Sequence, residues 1–145
     1  MDIFKRLYRF IKYNRHKKLS IWALVLSAIY RVQILTIKPN VLHKRWGTES
    51  EESPEEESDE NYRYAIKVAY CVDKICTKTK WESKCLVRAL TAQHMLSKKG
   101  IHTTLYLGCA LENEKMIAHA WLRCGKMYVT GGNGDGYAVV SKFYK

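Results

Sequence analysis

The sequence predicts an α+β fold, with helices packed on one face of an antiparallel sheet. Apart from one acidic run, apolar residues recur at helical spacing up to Gly100. From Thr103 onward the spacing changes to two, and glycine-containing turns separate short extended runs. Helices that precede a run of strands, instead of alternating with them, are typical of this class.

Residues 1–47 are predicted to form a basic helical region. Within residues 1–18, Ile3, Leu7, Phe10 and Ile11 recur at helical spacing between basic residues. A second helix is predicted at residues 19–37, a stretch that is almost entirely apolar.

The length of residues 19–37 is close to that needed to span a bilayer. However, Arg31 and Gln33 lie in its C-terminal half and would be costly at membrane depth. This favours a helix that packs inside the protein or against a partner, and leaves membrane contact as the weaker alternative.

Residues 48–60 read TESEESPEEESDE, with eight acids and no base. Such a run cannot bury enough apolar surface to order itself, although it could lie against the basic region. We therefore interpret it as an acidic linker between the helical region and a module at residues 61–145.

The module is predicted to begin with two helices and to continue as an antiparallel meander. The first helix covers residues 62–75, and the second begins near Cys85 and ends at Gly100, a glycine C-cap. The four predicted strands cover residues 103–110, 117–123, 127–130 and 137–143, and a glycine-rich loop at residues 131–136 precedes the last.

The net charge of +11 is unevenly spread, because residues 1–48 carry eleven Lys and Arg against one acid. A basic surface can bind nucleic acid, an anionic membrane or an acidic protein, or can simply be solvated. No zinc-finger spacing, aromatic RNA-binding motif or phosphate-binding loop is present, so nucleic-acid binding is not indicated.

The five cysteines are predicted to be reduced thiols of a cytoplasmic protein. Their number is odd, no signal peptide is visible, and no C-x-x-C pair occurs. A zinc site built on Cys71 and Cys76 would match no common ligand spacing. We therefore predict no metal and no organic cofactor.

Cys85 is the candidate nucleophile. With Ser83 as the expected N-cap, Cys85 falls in the first turn of a helix, where the dipole stabilises a thiolate and unpaired N–H groups could stabilise an oxyanion. Lys84 and Arg88 add positive potential. A buried structural cysteine is the plain alternative.

His119 is the candidate base, in the middle of a predicted strand that reads MIAHAWLRCG. An imidazole held on a strand could take the proton of the thiol. His94 is predicted to lie on the side of its helix opposite Cys85. His16 and His43 are expected to be solvated, and His102 is a weaker candidate for the base.

The Cys85 segment KCLVRALTAQHMLSKKGIHTTLYLG followed by AHAWLRCGKMYVTGG resembles the transglutaminase-like cysteine peptidase superfamily. Within it, the match across residues 62–145 is similar to the leader peptidases of lasso peptide biosynthesis. The resemblance implies a Cys–His–Asp triad with the Asp about a dozen residues after the His.

Cys85 and His119 match the first two members of that triad, but residues 128–131 contain no carboxylate. Asp135 is the only acid after His119 and is the predicted third member. Thr130, Asn133 or a backbone carbonyl are the alternatives for orienting the imidazole.

The resemblance implies a thiol protease that removes the leader from a ribosomally made lasso precursor peptide. It also implies two partners: a separate leader-binding protein (a RiPP recognition element) and an ATP-dependent lasso cyclase. The partner is expected to dock on the apolar N-terminal helices. A transglutaminase-type acyl transferase and a non-catalytic docking module for a partner or a membrane are the alternatives.

Overall fold

The computed structural model describes residues 2–82 and 84–145 and has the predicted α+β architecture. Its helices are α1 (Ile3–Tyr13), α2 (Lys17–Thr36), α3 (Pro39–Leu42), α4 (Asp59–Cys76) and α5 (Cys85–Ser97), and a short 3-10 turn covers His43–Arg45. Its strands are β1 (Thr48–Glu49), β2 (Thr104–Glu112), β3 (Lys115–Cys124), β4 (Met127–Thr130) and β5 (Ala138–Tyr144).

The strands form one antiparallel sheet in the order β1-β5-β2-β3-β4. The predicted meander is therefore wrong in one respect, because β5 pairs with β2 and not with β4. The tight turn at Asn113 and Glu114 joins β2 to β3 and leaves the other edge of β2 open. The glycine-rich segment after β4 carries the chain back across the sheet to that edge.

One face of the sheet packs on the helices and forms the hydrophobic core. Leu105, Ala120, Leu122 and Phe143 point to this face and are at most 2 % exposed. They pack with buried residues of α4 and α5 such as Leu90. We call this side of the sheet the helix face.

The apolar helix α2 packs against α4 and α5 with one side only. Its buried residues Ser20, Ala23, Leu26 and Ser27 share one side of the helix. The hydroxyl of Tyr30 lies 2.9 Å from Nδ1 of His94 on α5. By length and composition α2 could also cross a membrane, and only 28 % of its most apolar stretch is buried inside the protein.

The acidic run is ordered, contrary to the expectation from its composition. Residues 50–57, which we call the acidic strap, follow β1 and lie along the sheet face opposite the helices. Ser53 is buried, and its backbone N–H donates to Oγ1 of Thr104 at 2.8 Å. The guanidinium of Arg123 donates to the carbonyls of Ser53 (3.0 Å) and Pro54 (3.3 Å). Polar contacts therefore hold a segment that has little apolar surface to bury.

The acidic run also forms the start of a helix. Ser58 caps α4 by accepting from the N–H of Asn61 at 3.2 Å. Asp59 and Glu60, at the end of the predicted linker, belong to the first turn of α4, where negative charge is favourable.

Candidate active site

Cys85 is the first residue of α5 and is half-buried. The first bond of the helix joins the N–H of Arg88 to the carbonyl of Lys84 at 3.1 Å. The N–H groups of Cys85, Leu86 and Val87 therefore have no partner within the helix itself. Lys84 occupies the N-cap position and makes no capping bond with its side chain. Ser83, the predicted N-cap, lies outside the described residues.

The basic residues near Cys85 are paired with acids. Nζ of Lys84 lies 2.6 Å from Glu82, and Nη1 of Arg88 lies 2.6 Å from Asp73. Arg31 of α2 also contacts Glu82, at 2.9 Å. These carboxylates offset the positive potential that the sequence indicated around Cys85.

His119 lies on β3 with a partly exposed ring that is held by a backbone carbonyl. Its Nε2 lies 2.6 Å from the carbonyl oxygen of Gly131. Because a carbonyl oxygen only accepts, Nε2 must carry the proton, and Nδ1 of the neutral ring is left as the acceptor. The ring is also flanked by Tyr137 (4.8 Å between centroids) and Trp121 (5.9 Å).

The backbone conformation at position 131 favours glycine. Its φ is +76°, and a Cβ there would lie 2.4 Å from the carbonyl oxygen of Ala120. Any other residue would be strained and would displace the carbonyl from His119. The glycine thus places a main-chain acceptor where a triad would place a side chain.

The three side chains proposed to orient His119 make no hydrogen bond to it in the described part of the chain. A carboxylate oxygen of Asp135 accepts from the amide of Asn133 at 2.8 Å, and Oδ1 of Asn133 accepts from the N–H of Asp135 at 3.0 Å. Thr130 pairs with Leu122 across the β3–β4 ladder, and its buried Oγ1 has no hydrogen-bond partner among the described residues. Of the alternatives open at the level of sequence, the backbone carbonyl is the one that contacts His119.

Cys85 and His119 are not joined by a hydrogen bond in the described part of the chain. Along β3, Ala120 and Leu122 face the helices, so His119, Trp121 and Arg123 leave the strand on the other side. The β3–β4 pairing is confined to residues 122–124, so β4 does not cover the edge of β3 at His119. The ring therefore lies beside the part of the β3 edge that β4 leaves unpaired and that the backbone of Gly131 contacts.

The remaining histidines have structural contacts. His94 packs edge-on to Trp22 and Tyr30, and burial lowers its pKa from 6.5. His102 stacks on Tyr144. His43 was expected to be solvated, but its ring lies 4.6 Å from that of Trp46.

The cysteines divide by exposure. Burial raises the pKa of Cys71, and it raises that of Cys124 to about 11. Cys76 is also buried, whereas Cys85 and Cys109 are half-buried. Residues 2–82 and 84–145 contain no cluster of three His, Cys, Asp or Glu side chains that could hold a metal ion.

Sequence reasoning left a backbone carbonyl open as the partner of His119 but did not identify Gly131 as its source. The bond comes from the main chain of Gly131, so no side-chain chemistry points to it. The available signal was the Gly-Gly pair at positions 131 and 132, which follows the last residue of β4.

Comparison with known proteins gives one match. A family model described as "Transglutaminase-like superfamily" matches residues 35–142, which is more than half of the chain. No curated protein and no solved structure matches. The match begins near the end of α2 and includes the acidic strap, so it extends beyond the module predicted at residues 61–145. The chain belongs to the transglutaminase-like superfamily, which includes cysteine peptidases and acyltransferases.

Proposed function

We propose that this protein is a cysteine peptidase that removes the leader from a ribosomally made lasso precursor peptide in the cytoplasm. One observation supports it above the others: Cys85 opens α5 while His119, in an A-H-A-W strand, has Nε2 held by a carbonyl and Nδ1 available. Membership of the superfamily supports hydrolysis or acyl transfer by a cysteine. The resemblance of the two motifs to lasso leader peptidases supports a lasso precursor as the substrate.

In the proposed reaction the Cys85 sulfur attacks the scissile carbonyl and forms a thioester with the leader. Nδ1 of His119 first takes the thiol proton and then gives it to the departing amine of the core peptide. Water, deprotonated by the same imidazole, hydrolyses the thioester and restores the thiol. The N–H groups at the start of α5 would donate to the oxyanion.

This reaction requires Nδ1 of His119 to come within hydrogen-bond reach of the Cys85 sulfur. Catalytic hydrogen bonds often tighten only when substrate is bound. The edge of β3 at His119, which β4 leaves unpaired, is the place where such an approach would occur.

The experiment is to incubate the protein with precursor peptide and to determine the product masses. Two fragments whose masses sum to the precursor plus one water support the peptidase. A product in which the leader is joined to an added amine would show that the protein is an acyl transferase. Intact precursor, with folded protein and with the leader-binding protein present, would indicate a non-catalytic module.

The two partners are part of the same proposal. A leader-binding protein would hold the precursor near Cys85 and raise the local concentration of the scissile bond. We expect slow cleavage by the isolated chain and faster cleavage when that protein is added. The lasso cyclase would then act on the released core.

A further inference from the structure

The helix α1 has a strongly two-sided surface that the rest of the protein does not use. Its apolar residues lie on one side, and Lys5, Arg6, Arg9 and Lys12 lie on the other. No residue of α1 is buried, and Phe10 is the residue of α1 that packs against the core. On the apolar side, Ile3, Phe4, Leu7, Tyr8 and Ile11 are 52–75 % exposed, and Tyr13 at the end of the helix is 71 % exposed.

The apolar side of α1 continues into α2. A groove of about 770 Å³ is lined by Leu7 and Ile11 of α1 and by Ile21 and Leu24 of α2. Further along α2, exposed apolar residues recur at helical spacing; they are Val25, Ile29, Val32 and Leu35.

The charged residues that line the groove are basic. They are Arg6 and Arg9 of α1 together with Lys74 and Lys78, and no acid lines the groove among residues 2–82 and 84–145. Residues 5–18 carry seven Lys and Arg and no acid. Anionic phospholipid matches both features, because its acyl chains suit the apolar side and its headgroups suit the cations.

We propose that α1 and the adjoining groove bind the surface of an anionic phospholipid bilayer. The helix lies in the plane of the interface, with Leu7 and Ile11 among the acyl chains and the cations of α1 at headgroup level. This binding is independent of the proposed peptidase activity. It would hold the enzyme at a membrane without a helix that crosses it.

The test is flotation of the full-length protein with vesicles. Vesicles of phosphatidylcholine that contain phosphatidylglycerol should carry the protein, vesicles of phosphatidylcholine alone should carry little, and added salt should weaken the binding. Leu7→Glu should weaken binding about tenfold, because it places a charge among the acyl chains. Leu111→Glu is the matched control, since Leu111 is 76 % exposed on β2, away from this surface.

Charge is tested by a second pair of variants. Lys5→Glu should weaken binding about fivefold or more, whereas Lys115→Glu, which makes the same charge change at the start of β3, should have little effect. The proposal is overturned if neither vesicle type binds, if both bind equally, or if each variant and its control weaken binding alike. If Leu7→Glu abolishes stimulation by the leader-binding protein while vesicles do not bind, the surface belongs to that protein and the proposal is wrong.

Discussion

The two faces of the sheet are covered in different ways. On the helix face, Leu122 and its neighbours are buried against apolar residues of α4 and α5. On the opposite face, Arg123 is 9 % exposed and is held by hydrogen bonds to the acidic strap, to Tyr106 and to the carbonyl of Gly125. We call this second side the strap face.

The two faces of β3 are stabilised in different ways. Successive residues of β3 point alternately to an apolar core and to a polar network. The two candidate residues also lie on different faces. Cys85 packs against the core of the helix face, whereas the side chain of His119 leaves β3 on the strap face. Chemistry that uses both residues must occur at an edge where the two faces meet.

The largest expected effect is the loss of leader removal when Cys85, the thiol on the helix-face side, is replaced. Cys85→Ala and Cys85→Ser should reduce leader removal by about a thousandfold or more, because they remove the sulfur that forms the proposed thioester. Cys109→Ala is the matched control, since Cys109 is also half-buried. Rates would be measured by mass spectrometry, with circular dichroism to check the fold. Retained cleavage in Cys85→Ala would show that the nucleophile is misassigned.

The next prediction compares the stabilities of the two faces. Leu122→Ala should lower the free energy of unfolding by about 3 kcal/mol through loss of a buried side chain. Arg123→Ala should lower it by about 2–3 kcal/mol, because it leaves the carbonyls of Ser53 and Gly125 without their donor.

Lys126→Ala is the control for this pair, and urea denaturation is the measurement. Lys126 forms an ion pair with Glu56 at 2.8 Å, but its side chain is 71 % exposed, so less than about 1 kcal/mol should be lost. If Arg123→Ala were as mild as Lys126→Ala, the acidic strap would not depend on Arg123 for its place on the sheet.

A smaller effect is expected at the third position of the proposed triad. Asp135→Asn should slow cleavage by less than about tenfold, because the carbonyl of Gly131 contacts His119 and the carboxylate of Asp135 contacts Asn133. Gly131→Ala should slow it more, since the new Cβ would displace that carbonyl. Complete loss in Asp135→Asn with an unchanged melting temperature would make Asp135 a full triad member.

The smallest expected effect is a change in stability with pH that arises from His94 on α5. Burial lowers the pKa of His94 from 6.5 in the folded protein. The unfolded chain therefore takes up a proton first, and the free energy of unfolding should fall as the pH drops below about 6.5 towards the folded pKa. Above that range the contribution is constant.

Urea denaturation of the wild type and of His94→Gln across this pH range would measure the His94 contribution. His94→Gln should reduce the slope between neutral and mildly acidic pH. An unchanged slope in this variant would mean that other groups account for the pH dependence.

The local pattern of the sequence predicted the helices and strands well. The strand at Met127–Thr130 has its predicted bounds, and α5 begins at Cys85, as expected for the candidate nucleophile. Periodicity and glycine position decide such features within a few residues. The start of α4 was predicted three residues late, because acids in a first turn resembled a linker.

Features that depend on distant partners were not predictable in the same way. The acidic strap is held by Thr104 and Arg123, which lie 51 and 70 residues further along the chain from Ser53. The pairing of β5 with β2 likewise depends on which sheet edge remains open after β2 and β3 have joined. Composition describes what a segment could bury by itself, but it does not describe what another segment offers it.

The most direct test of the proposed catalytic pair is the rate at which iodoacetamide alkylates each cysteine at neutral pH, in the wild type and in His119→Ala. Cys85 should be labelled first, because it is half-buried at the start of α5 and is the proposed partner of His119, whereas burial raises the pKa values of Cys71 and Cys124. His119→Ala should slow labelling of Cys85 by about tenfold and leave Cys109 unchanged. If another cysteine is labelled first, or if Cys85 reacts at the same rate without His119, the two residues do not form a catalytic pair.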